Sequence, residues 1–249
     1  MNGKVFLAGA AGAIGAALTP LLVESGYEVY GTTRHIERTE GIRAAGAHPI
    51  LVDMFDRATL ADAIERIAPT IVIHQLTDLP PGLDPARMAD AVARNARIRT
   101  EGTANLVAAA RAAGCERIVA QSIAWAYAAG ATPYDESQPL DTAADGARAM
   151  TVNGVAALER SVLSLNETGG VGVVLRYGNL YGPGTGRDAP QGASPLHVEA
   201  AAWAALLAAQ RSRGGAFNIA EDSAQVTSEK AKRELGWRPD MRLAQRVVQ

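Results

Sequence analysis

Three glycines, Gly9, Gly12 and Gly15, stand in the stretch FLAGAAGAIG, directly after an apolar run and at the start of a helical one. Glycines so spaced let backbone come close to a pyrophosphate. The first makes a tight turn, the second lets the chain approach the phosphates, and the third lets the helix pack on the strand. The helix start adds unpaired N–H groups and a partial positive charge, so Ala11, Ala13 and Ile14 join the glycines in the expected phosphate cradle. Further on, the chain reads Gly31-Thr32-Thr33-Arg34, with no acid before Glu37. A carboxylate there would hold both ribose hydroxyls and repel a 2′-phosphate. Arg34, helped by Thr33, instead offers forked, charge-assisted hydrogen bonds to such a phosphate. The expected cofactor is NADP, with NAD less favoured.

These residues need strands that end together and helices that begin together. Short apolar runs at 4–8, 28–32, 48–52, 70–74, 116–120 and 171–176 predict buried strands, and helical periodicity marks 14–25, 36–45, 59–68, 86–113 and 151–165. Strand alternating with helix predicts an α/β fold, a doubly wound parallel sheet covered on both faces. The run 4–8 is expected between 28–32 and 70–74, because the glycine turn must open where strand order reverses. We expect a dinucleotide-binding core at 1–176 and a small, shortened substrate-side region at 177–249, packed on it as one unit. The stretch RYGNLYGPGTGRDAPQGASP (176–195) is long and rich in Gly and Pro, as functional loops are. A helix at 198–211, a strand at 216–220 and a short helix at 228–235 are expected after it.

Composition narrows the function classes. With 249 residues, 48% hydrophobic and 20% charged, the chain can bury a core without help from a metal or disulfide. A net charge of −2 with interspersed signs offers no face to a nucleic acid or an anionic membrane. Cys115 is the only cysteine, which excludes an internal disulfide and fits a reducing compartment. No apolar run approaches the ~20 residues of a membrane span. The N-terminus enters a strand with no basic region or cleavage site, so a cytoplasmic location is expected. His74 and His197 have no Cys or Asp partner at ligand spacing, so no metal site is expected.

The glycine spacing resembles the short-chain dehydrogenase/reductase superfamily, and LVDMFD (51–56), IVIHQLT (71–77), TEGTANLVAAARAAG (100–114), LRYGNLYGPG (175–184), HVEAAAWAA (197–205) and KAKRELGWRP (230–239) are similar to its extended and atypical branches of epimerases and dehydratases. The resemblance implies that Asp53 and the Met54 backbone hold the adenine. Gln75 and Leu76 would flank the ribose and nicotinamide, with Tyr177 at the cofactor and Tyr181 packing. It implies Ser122 as the group that polarises a substrate oxygen, Tyr127 as a pocket residue able to supply a proton, and Asn179 as a substrate contact. It also implies a tyrosine with a lysine four residues later, and Thr151 and Val155 stand there instead. No lysine lies between Lys4 and Lys230, so that pair cannot exist in the body of the fold. Arg99 also stands where extended members commonly carry asparagine. With only about fifty residues after Pro195, the lobe that clasps a nucleotide-sugar is shortened, so a smaller or different substrate is expected.

Two functions stay open. The first is an NAD(P)-dependent oxidoreductase or epimerase/dehydratase-like enzyme acting on a small hydroxyl or carbonyl compound, with or without net redox. The second is a non-catalytic NADP-binding sensor of the atypical type. The resemblance places pairing surfaces of a homodimer on the helices 86–113 and 151–165.

Overall fold

The computed structural model describes residues 2–80 and 84–243. Nine strands appear in chain order: β1 (Lys4–Ala8), β2 (Glu28–Thr33), β3 (His48–Leu51), β4 (Ile71–His74), β5 (Arg117–Ile123), β6 (Val171–Tyr177), β7 (Asn179–Tyr181), β8 (Pro195–His197) and β9 (Gly215–Ile219). Seven of them form one parallel sheet in the order β3-β2-β1-β4-β5-β6-β9, and β7 and β8 form a separate parallel pair. As expected, β1 lies between β2 and β4, so the chain reverses its direction of winding beside the glycine turn.

The helices are α1 (Ala13–Glu24), α2 (Thr39–Ala44), α3 (Arg57–Ile67), α4 (Met88–Arg97), α5 (Thr103–Ala112), α6 (Gly146–Leu163), α7 (Val198–Arg211) and α8 (Glu229–Leu235). The period of two along each strand sends alternate side chains to opposite faces. Leu7, Ile73, Val119 and Leu175 pack under α1 and α7, while Phe6, Val72, Ile118 and Val174 pack under α3, α5 and α6. Burying such a side chain is worth about 1.5–3 kcal/mol, so the two layers carry most of the driving force. The alanine-rich α7 buries Ala200, Ala201, Ala204 and Ala205 completely, and these small side chains let it lie close on α1. Among the described residues no helix is long and apolar enough to cross a membrane.

Three elements differ from the sequence pattern. The single helix expected over 86–113 is α4 and α5 joined through a π-helical turn, Ile98–Gly102. There the Thr103 hydroxyl donates to the Ile98 carbonyl at 3.2 Å, and Gly102 passes so near Met54 that a Cβ would fall 2.6 Å from its sulfur. The helix expected from 36 begins as a 3-10 turn, Ile36–Arg38. The stretch read as loop after Arg176 contains β7, held against β8 by backbone pairing that periodicity cannot reveal over three residues.

Candidate active site

Gly9 adopts a φ of +94°, and a Cβ there would lie 2.9 Å from the Gln75 carbonyl. A Cβ on Gly15 would fall 2.1 Å from the Gly9 oxygen, so the first helix rests directly on the turn. Gly12 is open: its nearest neighbour to a Cβ is the Gly9 oxygen at 3.4 Å. Gly12 is also the N-cap of α1, with no side chain to satisfy the helix N–H groups and no acid in the first turn. The turn therefore leaves donors and positive potential for an anion.

Beside it lies a cavity of about 280 Å³ lined by Gly9, Ala11, Gly12, Thr33, Arg34, Asp53, Met54, Gln75 and Leu76 among others. Ala13, Ile14 and Gly15 are not in its wall. Ile14 is buried in the core, and Ala13 faces Gly184 of the loop after β7, where a Cβ would meet it at 3.4 Å. The cavity brings together residues far apart in sequence: the end of β2, the turn after β3 and the segment after β4. Arg34 pairs with Asp78 at 3.1 Å, and Arg94 reaches the same carboxylate oxygen at 3.4 Å. Asn95 holds Asp78 in place, accepting its N–H at 2.9 Å and donating to its carbonyl at 3.3 Å. The sequence reading missed Asp78, Asn95 and Arg38, which also lines the cavity. Arg38, a second cation four residues after Arg34, was the one available signal.

Gln75 bears on what the cavity holds. Its Nε2 donates to the Tyr177 hydroxyl at 3.4 Å, while its buried Oε1 has no hydrogen-bond partner among the described residues. Leaving a buried acceptor unpaired costs about 1–3 kcal/mol, which a donor on a bound ligand would recover. The open glycine cradle, the uncapped helix and this oxygen together fit a dinucleotide. Tyr177 does not line the cavity: its hydroxyl donates to the Ala201 carbonyl at 3.2 Å, and burial pushes the phenol's pKa well up.

The ends of β5 and β6 carry different chemistry. The Ser122 hydroxyl donates to Glu159 at 2.7 Å, and Arg176 donates to both oxygens of the same carboxylate at 3.0 and 2.7 Å. Arg176 also donates to the Tyr127 hydroxyl at 3.0 Å, which in turn donates to Asn218 at 2.5 Å. Burial opposes the charge on Arg176, but the Glu159 carboxylate more than offsets this and raises its pKa. Burial raises the Tyr127 phenol, with Arg176 and Asn218 offsetting part of the effect. Ser122 and Tyr127, expected at the substrate, thus have their hydroxyls turned into a closed polar cluster. Neither lines the cavity. Their neighbours Ile123, Ala126, Val152 and Val155 form a small apolar core, so the helix position that lacks the lysine is packed with hydrocarbon, while the buried Thr151 stands where the tyrosine would be. Asn179 lies against Gly192, whose Cβ would sit 2.5 Å from the Asn179 oxygen. Tyr181 donates to Glu221 at 2.7 Å, and His197 caps α7 by accepting the Glu199 N–H.

His74 accepts the Leu76 N–H at Nδ1, so its Nε2 carries the proton and donates to Thr103 at 3.0 Å. Burial, then the charge of Arg99, lowers its pKa to about 4. After β4 and β5, Leu79 and Trp125 are 45% and 46% exposed, and Met150 is exposed near the start of α6.

Residues 5–209 match the model of the NAD dependent epimerase/dehydratase family. A relative from Streptomyces sp, named 3-diazoavenalumate denitrifying reductase, is 41% identical over 88% of this chain and 76% of its own. A second, from Stigmatella aurantiaca, is named 4-hydroxy-2-methyl-3-oxo-4-farnesyl-3,4-dihydroquinoline-1-oxide ketoreductase and is 28% identical over 90% of this chain and 69% of its own. Among solved structures, the UDP-glucose 4-epimerase of Thermotoga maritima with UDP-glucose superposes with a TM-score of 0.78 at 18% identity, covering 96% of this chain and 94% of that one. The Thermus thermophilus UDP-glucose 4-epimerase with NAD gives 0.76 at 20% identity, covering 96% and 95%.

Proposed function

Because the chain belongs to the NAD dependent epimerase/dehydratase family and is an NAD(P)-dependent oxidoreductase or epimerase, we propose that it is an NADPH-dependent reductase of small aromatic diazo compounds, releasing the two nitrogens as N2. The observation that carries this reading is the missing proton donor. Val155 is fully buried in hydrocarbon, Thr151 has no lysine beside it, and the Ser122 and Tyr127 hydroxyls are held in the polar cluster. A carbonyl that accepts hydride becomes an alkoxide and needs a proton. An arenediazonium needs none: hydride adds to its outer nitrogen, and the aryl diazene loses N2 while its hydrogen passes to the ring carbon. Atoms and electrons balance as Ar–N2⁺ plus H⁻ giving Ar–H plus N2. The 41% identical relative is named for removing nitrogen from a diazo compound, which supports the same substrate class here.

When bound, the nicotinamide supplies the hydride. Gly9, Ala11 and Gly12 would hold the pyrophosphate, and Asp53 with the Met54 backbone the adenine. Arg34, Thr33 and Arg38 would take the 2′-phosphate, with Arg34 exchanging its Asp78 partner for it. Gln75 would accept a donor from the cofactor. Glu159, gripped by Arg176 and Ser122, fixes the end of β5, and Arg148 donates to the Trp125 and Tyr127 carbonyls at 3.3 and 3.0 Å. The loop is thereby held with the exposed Trp125 ring available to an aromatic substrate, and Asn179 is the proposed polar contact.

A ketoreductase is the second reading, favoured by the Arg176 guanidinium beside the Tyr127 phenol and by the name of the 28% identical relative. Incubation with 4-deuterated NADPH and a panel of arenediazonium salts and aryl ketones separates the two. N2 release with deuterium on the ring is the expected outcome. Alcohol formation without N2 would make the protein a ketoreductase, and tight NADPH binding without turnover of either class would favour the sensor.

A further inference from the structure

Arg99 is a cation that the fold does not use. It stands in the π-helical turn Ile98–Gly102, a conformation that is rare and frequent at functional sites. Its neighbours on this helical segment are paired, Arg94 with Asp78 and Arg97 with Glu101. Among the described residues, no carboxylate, carbonyl or hydroxyl accepts a hydrogen bond from the Arg99 guanidinium. Burial alone pulls its pKa down to about 10, with no carboxylate near enough to restore it. It is still a cation at neutral pH. The side chain is partly exposed, so a ligand can reach it.

Its place in the fold is specific. On one side lies Gly154, where a Cβ would be 3.5 Å from the Arg99 Cβ and 3.2 Å from the Ala96 Cα. The glycine lets the turn approach α6 more closely there than a side chain would without a shift, one residue before Val155 and one helical turn after Thr151. On the other side is His74, at the carboxyl end of β4, close enough to feel the charge. Arg99 therefore lies against α6 one residue before the position emptied of lysine, with its charge felt at the carboxyl end of β4. A half-desolvated cation without a partner is costly, and the cost is relieved when an anion binds it. His74 cannot serve, being buried and neutral. The dinucleotide phosphates are already provided for by the start of α1 and by Arg34, on the β1–β2 side.

We propose that Arg99 binds the substrate's anion, taking the carboxylate of an aromatic acid in a forked pair of hydrogen bonds. The fork of a guanidinium matches the two carboxylate oxygens, which a single hydroxyl or ester cannot reproduce. The proposal deepens the reductase reading, on which it rests for the reacting group, by naming the substrate as an acid.

The test is a binding measurement on the full chain loaded with NADP, by calorimetry, using 4-hydroxybenzoate and its methyl ester as probes. The acid should bind at least about tenfold more tightly than the ester, the scale of one charge-assisted contact. Arg99→Gln should erase that preference, and Arg99→Lys should keep part of it. With the melting temperature measured in every variant as the check on folding, NADPH affinity should stay within about twofold. Equal affinity for acid and ester, or a preference that survives Arg99→Gln, would overturn the proposal. So would a parallel loss of NADPH affinity, which would assign the guanidinium to the cofactor. Neither probe carries a diazo group, so the outcome is independent of whether N2 is released.

Discussion

The two halves of the cleft are built on opposite principles. Around β1, β2 and β3 the site is mostly backbone: a glycine with positive φ, an uncapped helix start and a wall of residues facing a cavity. Around β5, β6 and α6 it is side chains, and those side chains bond each other: Ser122, Glu159, Arg176, Tyr127 and Asn218 form one closed cluster. The first half waits for a ligand, whereas the cluster in the second is satisfied without one. A backbone cradle persists as long as its glycines do. A catalytic hydroxyl can keep its place in the chain and still be turned to a new partner.

The largest expected effect lies in the backbone half. Gly15→Ala puts a methyl 2.1 Å from the Gly9 carbonyl oxygen, and neither backbone segment can give way. NADPH binding should be lost, by fluorescence titration, together with several degrees of melting temperature. Retained affinity would break the comparison at its base.

In the side-chain half, Glu159→Leu should cost about 3–5 kcal/mol in urea unfolding, since it strands the buried Arg176 charge. Adding Arg176→Met should restore much of that loss. NADPH affinity should change little in either variant if the cluster is structural.

This division also explains what could be read from the sequence. Strand order and the glycine turn are legible because periodicity and φ requirements are local; Arg34 is read from the residue types that end β2, Asp53 and Met54 from the family resemblance, and all three line the cavity. The partner of Ser122 is not: Glu159 lies 37 residues away, and only the packing of α6 on β5 and β6 brings them together. The same holds for Asp78 and Asn95, joined through a loop and a helix face. The π turn at Arg99 ends at Gly102, which lies close to Met54, a contact between distant segments.

His74 gives a pH test at the border of the halves. Its folded pKa is about 4 against an ordinary value of 6.5. Above 6.5 both states are neutral at this residue, so it adds no pH dependence. Below that, the unfolded chain takes up a proton that the folded chain refuses, and stability falls as pH drops toward 4. The full effect is about 3 kcal/mol. His74→Gln should flatten the stability–pH curve in that window, and an unchanged slope would remove His74 from the account.

Arg34→Ala tests the cofactor. A charge-assisted phosphate contact is worth about 1.5–3 kcal/mol, so NADPH should weaken by roughly tenfold to a hundredfold while NADH changes little. The Asp78 carboxylate, left with Arg94 as its ion-pair partner, adds repulsion toward a 2′-phosphate in the same direction. Equal losses for both cofactors would take Arg34 out of the phosphate site.

The smallest effect is the most decisive for the comparison. Ser122→Ala removes one hydrogen bond to Glu159, but the Glu159 oxygen it leaves still accepts the Arg176 Nε–H at 3.0 Å, so no charge is orphaned. The expected stability loss is therefore about 1 kcal/mol, with NADPH affinity intact and turnover reduced less than about tenfold. If turnover instead falls further at unchanged affinity, the hydroxyl must leave Glu159 and polarise a substrate oxygen during the reaction. The side-chain half would then share in the chemistry as the resemblance implied. Tyr127→Phe measured alongside gives the direction of the proton: a matching loss of rate, seen with ketones but not with diazonium salts, would place the donor at Tyr127 and confine it to substrates that need one.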